Sequence, residues 1–178
     1  HFDLTSVANE NGIPVFYAVD INSSDALGWV SLKAPDVIFC FGWSKILRQK
    51  LLTIPRLGVL GFHPAALPEN RGRHPITWAL VLGLDKTAST FFFMNAAADS
   101  GDILSQYEIS ITNEDNARSL YDKVIKTALA QITDFLPTLT KGTFVTVKQD
   151  QTNANLWRKR ENNDGVIDWR MSARLIHN

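Results

Sequence analysis

The stretch that decides the fold begins Pro35-Asp36-Val37-Ile38-Phe39-Cys40-Phe41-Gly42-Trp43 and leads through 44–56 into Leu57-Gly58-Val59-Leu60-Gly61-Phe62-His63. Val37 to Phe41 is an uninterrupted apolar run, the pattern of a parallel strand buried on both faces. Leu57 to Phe62 reads as a second such strand, and Ser44 to Leu52 between them reads as a helix. Toward the start, Asp3 caps a predicted helix over 4–11 that stops at Gly12. Pro14 to Ala18 is a short apolar strand, and Asn22 or Ser23 caps a helix ending near Lys33. This alternation predicts an α/β domain built on a doubly wound, mostly parallel sheet.

Toward the end, Pro75 suits the first turn of a helix over 76–82. Thr87 to Met94 and Ile103 to Ile111 read as strands, with Phe91-Phe92-Phe93 facing both layers. A long helix runs from Asn113 to about Leu139, carrying Leu120, Val124, Ile125, Leu129, Ile132, Phe135 and Leu136 on one side. From Gly142 the chain is polar and reads as strand and linker. The expected organisation is a main domain over 1–142, followed over 143–178 by a linker and the start of a C-terminal extension.

Bulk composition narrows the function. Lys+Arg and Asp+Glu both total 18, so no global basic field argues for a nucleic acid. The lone cysteine, Cys40, excludes an internal disulfide framework and suits a reducing, cytoplasmic setting. Inside its apolar run it reads as a packing group rather than a nucleophile. No apolar run is long enough to span a membrane, and no signal peptide is visible. A start at His1-Phe2-Asp3 and a stop at Ile176-His177-Asn178, inside a helical pattern, give the look of a chain cut at both ends.

Two segments can carry chemistry. The first runs from Gly61 to Pro75 and packs His63, Arg71, Arg73 and His74 into one connection rich in proline and glycine. The second is the acidic turn Ala98-Asp99-Ser100-Gly101-Asp102. A histidine at the end of one strand and a carboxylate before another can meet across a cleft, where the carboxylate orients the imidazole and stabilises its charged form. Such a pair suits proton transfer from an attacking amine or stabilisation of a tetrahedral oxyanion. The residues alone leave open a structural histidine beside a common turn. They offer no second cysteine or helical His pair for a metal, and no phosphate-binding glycine loop. Arg71 and Arg73 suit a diphosphate, and equally suit carbonyls or carboxylates of the loop itself. Trp78 reads as core, Arg158-Lys159-Arg160 as a solvated face, and His74 as loop support.

The ordered set of motifs resembles the catalytic domain of folate-dependent formyltransferases. That family carries N-x-H-x-S-L-L-P, then R-G, then a D-x-G turn. The matching stretches are Gly61-Phe62-His63-Pro64-Ala65-Ala66-Leu67-Pro68, Arg71-Gly72 and Asp99-Ser100-Gly101. Phe41-Gly42-Trp43-Ser44-Lys45-Ile46-Leu47 resembles the family's Y-G-x-I-L loop, and Asp164 to Trp169 the extension beyond its catalytic domain. The resemblance implies transfer of a formyl group from N10-formyltetrahydrofolate to an amine, with no metal.

It further implies His63 and Asp99 as catalytic residues. The donor would lie against Phe41, Gly42, Trp43, Ile46, Leu47 and the loop Asn95, Ala96, Ala97, Ala98. The acceptor would meet Arg71, Gly72 and Arg73. The R-G-R-x-P-x-x-W pattern of Arg71 to Trp78 resembles the sugar enzymes and implies a nucleotide-linked amino sugar as acceptor. The alternatives are methionyl-tRNA formylation, hydrolysis of the formyl folate, and a degenerate folate- or sugar-binding module. Two departures stand out. The family asparagine two residues before the histidine is Gly61 here, so Asn95, Asn70 or a backbone N–H would replace it. The family's opening strand, helix and strand are also missing. That implies a chain cut short, or a partner such as a second copy in a homo-oligomer covering the bared strand edge.

Overall fold

Four strands form the main sheet of this computed structural model, which describes residues 3–43 and 45–177. They are β1 (Val37–Cys40), β2 (Gly58–His63), β4 (Lys86–Phe93) and β5 (Ile103–Ser110), in the spatial order β1-β2-β4-β5. The α/β class is as expected, and the sheet is mixed. Only β1 and β2 pair in parallel, while β2/β4 and β4/β5 are antiparallel. A two-stranded ribbon joins β3 (Arg71–Gly72) to β6 (Leu156–Trp157). The helices are α1 (Thr5–Glu10), α2 (Ser24–Lys33), α3 (Gln49–Leu52), α4 (Pro75–Val81), α5 (Ala117–Lys141) and α6 (Ala173–His177). None is long and apolar enough to cross a membrane.

The strand pattern explains the two faces. Leu60 packs with Phe91, Phe135 and Leu139 under α5. Its neighbour Val59 packs with Leu47, Leu51 and Leu52. Successive side chains point to opposite faces, so a strand covered on both sides must be apolar at every position. Burying each of these large side chains is worth about 1.5–3 kcal/mol. Cys40 is half-buried beside that second cluster, and burial pushes its thiol up to about 11.

Several elements differ from expectation. The helix expected from Ser44 is confined to Gln49–Leu52; Ser44 itself lies outside the described residues. Pro14 to Ala18 forms no strand, and Tyr17 and the following Val19 are 72% and 95% exposed. The cause is the lack of a ladder: among the described residues no strand pairs with this segment or with the outer edge of β1. A strand has no hydrogen bonds of its own, so apolar pattern without a neighbour leaves coil. The chain after Gly142 packs back on the domain through a bridge between Val147 and Ile103 and through β6.

Asn116 caps α5 by accepting from the backbone N–H groups of Arg118 and Ser119. Just before it, buried Asp115 accepts from Lys123 Nζ, Thr112 N and Ser119 Oγ. The Lys123 ammonium first, then the Thr112 N–H, holds this carboxyl well below the usual carboxylate range. A depressed folded pKa gives stability that is present above the unfolded value, about 4, and is lost as pH falls below it. Asp115→Asn should therefore lower Tm at pH 7 and flatten the acid side of the Tm–pH curve. An unchanged acid limb in a thermal-melt series would remove Asp115 from this role.

Candidate functional site

His63 ends β2, at the carboxyl edge of the parallel pair, and is only 5% exposed. Its Nε2 lies 2.8 Å from the carbonyl oxygen of Asn70. A carbonyl only accepts, so Nε2 carries the hydrogen and Nδ1 is the nitrogen turned to Asp99. Nδ1 stands 3.9 Å from Asp99 Oδ2, too far for a hydrogen bond and close enough for charge to act. The sheet supports the connecting loop from below. Thr90 Oγ1 donates to Ala65 O, and Gln106 Nε2 donates to Leu67 O and Thr90 Oγ1.

Asp99 sits in the β4–β5 connection, which closes with Phe93 N donating to Asp102 O at 2.8 Å. Its backbone is left-handed, with φ +50°, unusual for a residue bearing Cβ. Its Oδ2 accepts from Gly72 N at 2.9 Å. Gly72 has φ +102°, and a Cβ there would lie 2.3 Å from the Trp157 carbonyl oxygen. The ribbon therefore requires glycine at the point where it presents an N–H to Asp99.

Around this pair opens a cleft of about 610 Å³. One wall is Trp43, Ile46, Leu47 and the turn Asn95 to Ala98, as expected for a flat apolar ligand. Gly72 and Arg73 form part of the other wall with Leu156, Trp157, Arg158 and Lys159. With Lys45 on the same lining, lysine and arginine side chains outnumber the one carboxylate among the described lining residues, Asp99. Three residues expected in the cleft lie outside its lining. Phe41 packs against Phe62 and Phe91, next to Gly42. Arg71 is buried, donating from Nε and Nη2 to Gln149 Oε1 and from Nη1 to Gln151 Oε1. Its guanidinium thus serves the loop, one of the two uses its residue type allowed.

The sequence reading missed several residues. Asn22, one of the two residues expected as a helix cap, straps the loop before α3: its Nδ2 donates to Ile46 O and its Oδ1 accepts from Arg48 N. Ser23 is the cap instead. Trp78 is neither core nor platform. Its Nε1 donates to Arg158 O, and the guanidinium groups of Arg158 and Arg160 lie 5.4 and 4.9 Å from its ring centroid. Arg158 also forks onto Asp164 six residues on, so the run is tied to the domain through Trp78 while Arg158 and Lys159 remain exposed, as expected of a solvated face. At Gly61 an added Cβ would lie 2.9 Å from both Phe92 Cζ and Met94 Cγ. These side chains occupy the room an asparagine would need.

A cleft at the carboxyl end of an α/β sheet, with a buried histidine facing a carboxylate, has the position and make-up of a small-molecule site. The family profile described as formyl transferase matches residues 5–135, and the chain belongs to that family. The bifunctional polymyxin resistance protein ArnA of Wigglesworthia glossinidia brevipalpis is 37% identical over 166 residues. That match covers 93% of this chain and 25% of the relative, so the chain spans a quarter of ArnA's length. The fold is shared with an N-formyltransferase from Helicobacter canadensis, solved in complex with folinic acid and dTDP-3-aminofucose. The TM-score is 0.78 at 18% identity, over 98% of this chain and 61% of that one. It is shared also with methionyl-tRNA formyltransferase from Clostridium thermocellum, with TM-score 0.71 at 20% identity, over 97% and 73%.

Gly61→Ala should cost about 1–3 kcal/mol through overpacking against Phe92 and Met94, read as a lower urea midpoint at unchanged slope. A midpoint equal to that of the parent would mean that both side chains give way freely.

Proposed function

We propose that this chain transfers the formyl group of N10-formyltetrahydrofolate to the primary amine of a nucleotide-linked amino sugar. The observation that carries the reading is the His63–Asp99 pair at the base of a cleft with one apolar wall and one cationic wall. The apolar wall of Trp43, Ile46, Leu47 and Asn95 to Ala98 suits the flat ring of a folate. Arg73 and Lys159 suit a diphosphate. Membership of the formyl transferase family and the likeness to ArnA support the same chemistry.

The steps follow from the atoms. The acceptor nitrogen attacks the formyl carbon, forming a C–N bond and a tetrahedral oxyanion. The amine proton passes to Nδ1 of His63, whose other nitrogen already carries a hydrogen bound to Asn70 O. Asp99 stabilises the resulting imidazolium across 3.9 Å. Collapse of the intermediate breaks the bond to N10, which takes up the proton, releasing tetrahydrofolate and the formamide.

The oxyanion still needs a donor beside the imidazolium. Gly61 has no side chain, and Asn70 meets His63 through its backbone carbonyl and lies outside the cleft lining. Asn95 lines the cleft, and its Oδ1 accepts from Ala97 N and Ser100 Oγ, which leaves Nδ2 as its donating end. We assign that role to Asn95.

The test is release of tetrahydrofolate by the full-length protein against a panel of nucleotide-linked amino sugars. Turnover dependent on one sugar is expected, whereas transfer only to methionyl-tRNA, or formate release without acceptor, would replace the reading. His63→Ala and Asp99→Asn should remove measurable turnover with Tm largely retained. Asn95→Ala should lower kcat by about 10²–10³, the cost of one oxyanion donor elsewhere; parent-like kcat would pass the role to another group.

A further inference from the structure

Gln149 lies beyond the long helix, in the polar chain ahead of the Asp164 to Trp169 segment and outside every motif. Its side chain is buried, 7% exposed, and every hydrogen-bonding position of its amide is used. Nε2 donates to Asp99 O at 2.9 Å and to Gly101 O at 2.7 Å. Oε1 accepts from Arg71 Nε at 3.1 Å and from Arg71 Nη2. A guanidinium only donates, so the amide has a single orientation: oxygen to Arg71, NH₂ to the Asp99 turn. Arg71 is held in turn by Gln151, whose own Nε2 donates to Gln149 O.

The two carbonyls that Gln149 caps bracket the Asp99–Gly101 turn. That turn holds Asp99 at φ +50°, a conformation that costs about 1–3 kcal/mol for a non-glycine residue and persists only when the surroundings impose it. We propose that Gln149 is a positioning residue for Asp99. By gripping the backbone on both sides of Ser100 it keeps the Asp99 carboxylate on Gly72 N–H and turned to His63. Arg71, expected to meet the acceptor, orients Gln149 instead. The role assigned here rests on the reading of His63 and Asp99 as the proton-handling pair.

The experiment uses Gln149→Glu in the full chain. The substitution keeps an oxygen for Arg71 but replaces the NH₂ donor with an acceptor facing two carbonyls. If Asp99 is displaced by about 1 Å, kcat should fall on the order of 10²-fold while KM for donor and acceptor stays within about threefold. Amide hydrogen exchange at Gly72, the N–H that Asp99 Oδ2 holds, should accelerate by about tenfold or more with the core amides of Leu60 and Phe91 unchanged. Parent-like kcat, or exchange accelerated equally at all three amides, would overturn the proposal in favour of a purely structural glutamine. Gln149→Asn, which pulls the same amide back by one methylene, carries the test if the glutamate variant does not fold. Should the parent protein transfer no formyl group, the functional reading fails by itself. Gly72 exchange then still decides: local acceleration upholds the hold on Asp99, and none overturns it.

Discussion

The site depends on one constraint: Asp99 is kept in a left-handed backbone conformation with its carboxylate on the Gly72 N–H. Such a conformation is unfavourable alone, and it is imposed from two sides. Gln149 grips the turn from below, and the β3–β6 ribbon presents Gly72 from across the cleft. His63 is fixed independently, at the end of a core strand and by the Asn70 carbonyl. The pairing of imidazole and carboxylate is thus a meeting of three chain segments far apart in sequence. Chain that follows the long helix is as much a part of the site as the motifs before it.

The two walls of the cleft have different physical origins. The apolar wall grows from the sheet and the loop before α3, with Asn22 as its strap. The cationic wall is carried by the ribbon and is anchored by Trp78 between its hydrogen bond to Arg158 and the guanidinium groups of Arg158 and Arg160. Gly61 belongs to this division. Phe92 and Met94 close over it, so the floor beside His63 is apolar.

Much of this was legible in the sequence wherever a feature is local. Leu57 to Phe62 announces a strand covered on both faces, and the core bears that out; Val37 to Phe41 forms its strand too, but as the outer strand it is only partly covered and Phe39 is 41% exposed. The His63 and Asp99 motifs were separately visible, and β2/β4 pairing with the β4–β5 turn brings them together. What was not legible depends on partners distant along the chain. Pro14 to Ala18 has strand composition, yet strand formation needs a neighbour that composition does not supply. Gln149 has no local signature, since its meaning lies in Arg71, 78 residues before it, and in Asp99, 50 residues before it. Arg71 looked like an anion ligand because the same fork serves a phosphate and a buried amide oxygen equally well.

The most direct test of this account is a crystal structure of the full-length protein with a non-transferable formyl folate. The account requires the ring against Ile46 and the Asn95–Ala98 turn, with the formyl carbon about 3–4 Å from the path between the His63 imidazole and Asn95 Nδ2. A ligand bound elsewhere, or bound with its formyl group turned away from His63, would contradict it.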